Sequence, residues 1–276
     1  MLREHGGLAM TRLRGVWDAG KPALNAWCSI GSPFVAEIMA AQGFDSVTVD
    51  MQHGALDYTD LLPMLQSMRA SGATLLARVP WLDPAHVMKA LDSGADVVIC
   101  PMINTAEDAA RLVSYMRYPP DGVRSFGPTR AVFAHGPDYP QTANGRLLCF
   151  AMIETAEALV NLEAIVATPG LDGIYVGPAD LTQSVSNGRL PFGMDREEPE
   201  IVAAIRSIAE ACGRRGIIAA LHCGTPEYAL RAIGWGFRMT TVGGDTRFLA
   251  AGAAAAVEGF RRLTGTVQPV AKPGGY

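Results

Sequence analysis

No stretch of the 276-residue chain approaches the roughly 18 consecutive apolar residues of a membrane helix. Apolar residues come in short bursts broken by charge, Gly or Pro, although they make up 49% of the chain and the mean hydropathy is +0.16. That hydrophobicity belongs in a large packed core, and disorder is excluded. A Lys/Arg block is also missing, since 23 basic against 27 acidic residues give a net charge of −4. Without clustered positive charge to neutralise phosphates, nucleic acid and anionic membranes are excluded as partners. The N-terminus carries Glu4 and His5 and lacks an apolar stretch with a small-residue cleavage site, so no secretory signal is read there. The five cysteines (Cys28, Cys100, Cys149, Cys212 and Cys223) are odd in number, lack CxxC spacing and lie mostly in apolar runs. Reduced core thiols in a cytoplasmic protein follow from that pattern.

What is present is alternation. Short β-branched apolar runs, at Leu24–Ile30, Ser46–Met51, Thr74–Val79, Val97–Pro101, Leu148–Ile153, Gly173–Gly177, Ile217–His222 and Met239–Gly243, alternate with helical patterns. Several runs are apolar on both alternating sets, as in strands covered on both faces of a parallel sheet. Ser32-Pro33, Asp83-Pro84 and Thr225-Pro226 each pair a cap residue with Pro at the first helical position. Eight strand–helix units in about 250 residues fit an α/β fold of one domain, the TIM (β/α)8 barrel. An open doubly wound sheet would want fewer strands and a GxGxxG turn after the first, and CSIGSPF is not one. The expected layout is a flexible lead-in over 1–20, the barrel over 21–264 and a flexible tail over 265–276. Two Gly/Pro-rich stretches, 119–146 and 183–199, exceed the repeat, and loops of such length are usually functional. The second follows strand six directly onto the catalytic face; the first would have to reach that face by another route.

Polar residues at the C-terminal ends of barrel strands read as catalytic. Those ends hold Asp50, Gln52 and His53; Arg78; Glu154; Gly177, Pro178, Ala179 and Asp180; His222; and Asp245. Glu154 and Asp180 stop successive apolar runs and suit a hard divalent cation, though either acid equally suits a helix cap. Asp50 and His53, three apart, allow a carboxylate to hold an imidazole in one tautomer; a structural His is the alternative. Arg78 in a barrel mouth calls for an anionic substrate or a carboxylate partner. The GPAD turn offers free N–H groups of Ala179 and Asp180 to a carboxylate or phosphate. His135 and His222 are candidates for substrate contact, whereas His5 and His86 read as structural or solvated. The Ala-rich final helix, LAAGAAAAVEGF, allows close helix packing and an oligomer contact.

The strings GFDSVTVDMQHG, ARVPWLDP, PMINTAEDA, YPPDGVRSFGPTRA, IETAEAL and DGIYVGPADLT occur in this order. Together they resemble the metal-dependent class II pyruvate aldolases of the 4-hydroxy-2-oxoheptanedioate aldolase family, from about Leu24 to Leu263. The resemblance implies reversible cleavage or formation of 4-hydroxy-2-oxo acids from pyruvate or hydroxypyruvate and an aldehyde, through a metal-stabilised enolate. It implies Mg, Mn or Co on Glu154 and Asp180, His53 as catalytic histidine with Asp50 as its partner, and Arg78 on the enolate oxygen. It also implies Gly177, Ala179 and Asp180 around the pyruvate carboxylate, Trp27 lining the pocket, a hexamer formed as a trimer of dimers, and a place in aromatic-compound catabolism. Gln52 stands where many members have Glu, and Met152 where they have Gln, which bears on substrate range. The lysines, Lys21, Lys89 and Lys272, lie outside the barrel or mid-helix, in keeping with chemistry that needs no Schiff base. The alternative is a barrel like the citrate-lyase subunit or malyl-coenzyme A lyase, which would need cations for coenzyme A phosphates; the long loops offer Arg124, Arg130, Arg146 and Arg189.

Overall fold

The computed structural model describes residues 11–266. Residues 1–10 and 267–276, which hold most of the two end segments expected to be flexible as well as His5 and Lys272, lie outside that range. Eight parallel strands close into a barrel in chain order: β1 (Ala23–Cys28), β2 (Ser46–Asp50), β3 (Thr74–Arg78), β4 (Val97–Cys100), β5 (Leu148–Ile153), β6 (Gly173–Val176), β7 (Ile218–Cys223) and β8 (Met239–Val242). Each expected strand is present. β2 to β6 are buried at every position, because helices cover the outside while side chains fill the inside. The interior packs Trp27, Leu76, Ile99, Phe150, Met152 and Tyr175 into one cluster, and a larger cluster lies between sheet and helices. All five cysteines are free thiols buried in these layers.

The caps read from sequence form. Ser32 accepts the Val35 N–H at the start of α2 (Pro33–Ala40). Asp83 accepts from Ala85 at 2.7 Å to open α4 (Pro84–Asp92), and Thr225 accepts from Tyr228 at 3.2 Å to open α12 (Pro226–Gly234). The other outer helices are α3 (Tyr58–Met68), α5 (Ala106–Met116), the pair α8 (Ala156–Val160) and α9 (Leu162–Val166), α10 (Pro178–Val185) and α11 (Pro199–Arg215). The last helix, α13 (Asp245–Thr264), is different: of its residues only Asp245 is buried. The Asp245 carboxylate accepts the N–H groups of Ser29 and Ile30 at 3.0 Å, which pins the start of α13 to the end of β1.

Two expectations are corrected. Residues 12–18, assigned to a flexible lead-in, form α1 (Arg12–Asp18). Its Leu13 is fully buried in the interior cluster, and the Leu13 N–H donates to Thr74 Oγ1 at 3.1 Å. Trp17 Nε1–H donates to the Arg238 carbonyl at 3.0 Å, so α1 plugs the end of the barrel where the strands begin. The second correction concerns the stretch 119–146, which holds α6 (Ala131–His135) and α7 (Tyr139–Arg146). It packs at that same N-terminal end: Arg124 pairs with Asp92 at 2.6 Å, Arg130 donates to the Ser93 carbonyl, and Arg146 meets Asp96 at 3.4 Å. Asp92 ends α4 and Asp96 precedes β4, so this loop braces the face opposite the catalytic one. His135 goes with it, stacked on Tyr139 at 5.1 Å, and cannot touch a substrate in the mouth. The stretch 183–199 does lie on the C-terminal side, where Asp195 accepts from the Gly224 N–H and the Thr225 hydroxyl after β7.

Candidate active site

The C-terminal mouth is organised by two walls. On the first, Asp50 at the end of β2 and Arg78 at the end of β3 are register partners in adjacent strands. Their side chains meet in a fork, Nη2 to Oδ2 at 2.6 Å and Nε to Oδ1 at 2.8 Å, and both residues are buried. Trp27 Nε1–H donates to Oδ2 at 3.1 Å, and the Gln52 and His53 N–H groups donate to Oδ1 at 3.1 and 3.3 Å. The guanidinium carbon of Arg78 sits 4.8 Å from the centre of the Trp27 ring, an additional favourable contact for a desolvated cation. Burial works to raise the Asp50 pKa, but the hydrogen bonds and charge of Arg78, with help from Trp27, hold it below the usual carboxylate range.

This arrangement corrects the expected Asp50–His53 pairing. The Asp50 carboxylate takes the His53 main-chain N–H and gives its side-chain contacts to Arg78 and Trp27. The His53 ring is exposed on the turn after β2 and makes no hydrogen bond among the described residues. Arg78 Nη1, the remaining nitrogen, has only the Met152 sulfur at 4.0 Å among the described residues. Met152 is therefore a weak acceptor that leaves this N–H group available. Gln52 buries its Oε1 without a partner.

The second wall is acidic. Glu154 follows β5 and is 2% exposed. One of its oxygens, Oε1, accepts the Met102 N–H at 2.8 Å. Met102 has φ +56°, a left-handed conformation that a residue with a side chain adopts at a cost and that aims its N–H at Glu154. A Cβ on Gly177 would lie 2.4 Å from Glu154 Oε2, so glycine is required for the carboxylate to sit here. Gly177 also caps α10, whose first turn leaves the Ala179 and Asp180 N–H groups without helical acceptors; Leu181 is the first to bond back, to Gly177. Asp180 is exposed in that first turn. Burial, and secondarily the Asp180 charge, push the Glu154 pKa up to about 7, although the Met102 N–H and Arg78 pull the other way. A buried carboxylate raised in this way beside a second carboxylate suits a divalent cation, which would relieve the repulsion through oxygen ligands. The described residues offer no third His, Cys, Asp or Glu close enough to complete a protein cage. Two carboxylates with the remaining positions left to substrate and water is the arrangement magnesium-type sites use.

The structure thus joins Trp27, Asp50 and Arg78 by direct contacts and sets Glu154 against Gly177, with Ala179 and Asp180 on the same turn. Sequence reasoning missed Met102, for which a positive φ at a non-glycine residue leaves no local signal. It also missed Tyr175, whose hydroxyl lies 3.1 Å from His222 Nδ1. Tyr175 could have been found from the alternation of GIYV, which turns residues 173 and 175 inward.

A closed parallel barrel with acids, an arginine and free helix N–H groups gathered at its strand ends is the architecture of a (β/α)8 enzyme. The sequence pattern of the HpcH/HpaI aldolase/citrate lyase family matches residues 24–251, and the chain belongs to that family, making it a carbon–carbon lyase. It is 36% identical over 254 residues to a hydroxypyruvate/pyruvate aldolase of Rhizorhabdus wittichii, covering 92% of this chain and 100% of that one. It is 33% identical to a 4-hydroxy-2-oxo-heptane-1,7-dioate aldolase of Klebsiella pneumoniae, covering 88% and 91%. Among solved structures, an HpcH/HpaI aldolase/citrate lyase family protein from Burkholderia cenocepacia superposes with a TM-score of 0.83 at 32% identity, covering 90% of this chain and 98% of that one.

The raised Glu154 pKa has a thermodynamic consequence. The folded chain holds this proton up to about pH 7 and the unfolded chain releases it near 4.5, so the stabilisation is complete below the lower value and lost as pH rises through the upper. The penalty in metal-free protein at about pH 8 is on the order of 3 kcal/mol. Glu154→Gln should raise the metal-free melting temperature at that pH and change it little at about pH 4. A divalent cation should raise the melting temperature of the natural protein but not of the variant. Identical pH dependence in the two proteins would rule out a buried, charged Glu154.

Proposed function

We propose that the chain is a divalent-metal-dependent aldolase that forms and cleaves 4-hydroxy-2-oxo acids, with pyruvate or hydroxypyruvate as donor and an aldehyde as acceptor. The observation that carries this reading is the acidic wall, Glu154 and Asp180 beside the unbonded N–H groups of α10, facing a mouth that also holds Arg78. Mg, Mn or Co held by Glu154 and Asp180 would supply the Lewis acidity that loosens the C3 protons of a 2-oxo acid. The Ala179 and Asp180 N–H groups bind the donor carboxylate at the positive end of α10. Arg78 Nη1 neutralises the charge that develops on the 2-oxo oxygen as C3 loses its proton. Asp50 and Trp27 fix the guanidinium so that no reorganisation is needed at that moment. His53, its ring free at the mouth, takes the C3 proton on a ring nitrogen. C3 then bonds to the aldehyde carbon, and the proton returns to the aldehyde oxygen; cleavage runs in reverse.

Among the described residues lysine chemistry has no support: Lys89 lies on α4 against the Tyr58 ring, and Lys21 precedes β1 at the opposite end. The coenzyme A alternative is weakened, because Arg124, Arg130 and Arg146 brace the opposite face, while in the stretch 183–199 Arg189 pairs with Glu200 at 3.0 Å and Arg196 with Glu198. A role in aromatic-compound catabolism rests on the likeness to the heptanedioate aldolase. Free buried thiols agree with a cytoplasmic setting, and no helix among the described residues is long and apolar enough to cross a membrane.

A homo-oligomer, a hexamer built as a trimer of dimers, completes the reading. Phe248, Leu249, Val257, Phe260 and Leu263 are exposed along α13, more apolar surface than a monomer usually leaves uncovered. Sedimentation velocity should show an assembly and no monomer at micromolar concentration; a monomeric chain would refute this part.

The chemical reading is tested by exchange of pyruvate methyl protons in heavy water. Exchange should require added divalent cation and vanish in Glu154→Gln and Asp180→Asn. Exchange that persists without metal would overturn the proposal. Arg78→Ala should lose roughly 3–4 kcal/mol of transition-state stabilisation, the scale of one removed oxyanion donor; a loss under about tenfold would place the anion elsewhere.

A further inference from the structure

The barrel interior carries a hydrogen-bonded chain that the steps above do not use. The Ser46 and Thr48 hydroxyls donate to Asn25 Oδ1 at 2.8 and 3.1 Å. Asn25 Nδ2 then donates to Thr241 Oγ1 at 2.9 Å. The Thr241 and Tyr175 hydroxyls are 2.7 Å apart, and Tyr175 Oη lies 3.1 Å from His222 Nδ1. Ser46, Thr48, Asn25, Thr241 and Tyr175 are all buried, so each hydrogen needs an acceptor inside the protein.

That requirement sets the direction of the chain. Thr241 already accepts from Asn25, and among the described residues its own hydrogen has only Tyr175 as a partner. Tyr175 therefore accepts from Thr241 and gives its hydrogen to His222 Nδ1. The reverse direction would strand the Thr241 hydrogen in a buried site. With Nδ1 accepting, His222 carries its proton on Nε2. Burial, reinforced by the charges of Arg78 and Arg247 and opposed by Asp50, pulls the His222 pKa down to about 3, so the ring stays neutral. Nε2 makes no hydrogen bond among the described residues, and His222 is half-buried at the end of β7. The ring stands edge-on to Trp27 at 5.0 Å, and Arg78 lies over the same indole. A neutral N–H donor of fixed tautomer is thus presented to the mouth that holds Arg78.

We propose that His222 is a specificity-determining hydrogen-bond donor that recognises an oxygen on the acceptor aldehyde and selects 2-hydroxyaldehydes over their unsubstituted counterparts. This rests on the aldolase reading above, which ties the donor acid to groups on β3, β5 and α10. The acceptor then approaches from the side formed by β7 and β1, where His222 and Trp27 stand. A neutral imidazole held in one tautomer presents its N–H whatever the substituent, so an aldehyde lacking the hydroxyl oxygen leaves a desolvated N–H unpaired. Sites of this kind discriminate strongly against the analogue lacking the group.

The test compares glycolaldehyde with propanal, which differ by a hydroxyl in place of a methyl, as acceptors for pyruvate with divalent cation present. The natural enzyme should favour glycolaldehyde in kcat/KM by at least about tenfold. His222→Leu should bring that ratio close to one, and His222→Asn, which keeps an N–H donor, should recover part of it. Tyr175→Phe removes the hydrogen that fixes the tautomer and should lower the ratio with His222 still in place, which keeps the test decisive if a His222 variant fails to fold. A ratio near one in the natural enzyme, or a ratio unchanged in His222→Leu or in Tyr175→Phe, overturns the proposal. Pyruvate proton exchange in the natural enzyme without aldehyde separates the two levels. Exchange with an unchanged ratio defeats only the role of His222, whereas no exchange defeats the aldolase reading and this proposal together.

Discussion

The buried ion pair between Asp50 and Arg78 is the constraint around which the mouth is built. Two charges taken out of water are stable only when geometry is good and every remaining hydrogen-bonding position is used, and removing one partner typically costs about 3–5 kcal/mol. Here the fork at 2.6 and 2.8 Å is completed by Trp27 Nε1–H and two main-chain N–H groups, which lock the ends of β1, β2 and β3 together. Nη1 of Arg78 is left without a strong acceptor, so the same pair that stabilises the strand ends aims one cationic N–H group at the mouth.

The acidic wall runs the opposite economy. Among the described residues Glu154 is buried with one main-chain donor and no cationic side chain bonded to it, and the backbone is bent to keep it there. Met102 adopts a left-handed conformation to donate to it, and Gly177 gives up a side chain to make room. Costs of this kind cluster at functional sites, where they preorganise a group for a ligand. A positive wall fixed by a satisfied ion pair and a negative wall left unsatisfied together suit a cation and a small 2-oxo acid between them.

Much of this was legible in the sequence. Strands covered on both faces show as continuous apolar runs, and helices opening with a cap and Pro declare their starts, so the barrel and the strand-end residues followed directly. The partner of Asp50 did not. His53 is three residues away in sequence, but the strand register sets Asp50 beside Arg78, 28 residues on, and register is a property of the closed sheet. The docking of α1 was hidden because a seven-residue helix with one buried Leu has no amphipathic period to read. The long stretch 119–146 looked functional by length, yet it joins a helix to a strand and so emerges at the bracing end of the barrel. His222 was visible as a strand-end histidine, but its tautomer depends on the Asn25 amide from β1 and hydroxyls from β2, β6 and β8, which no local pattern brings together.

The assignment of Asp50 to Arg78 is open to a direct measurement. Double-mutant cycles on the rate of pyruvate proton exchange would combine Asp50→Asn with Arg78→Ala, and separately with His53→Ala. If Asp50 acts by holding the guanidinium, the first cycle should show a coupling energy of about 1–3 kcal/mol and the second should be additive within about 0.5 kcal/mol. Coupling confined to the His53 cycle, with Arg78 additive, would contradict the ion pair as the organising interaction of the site.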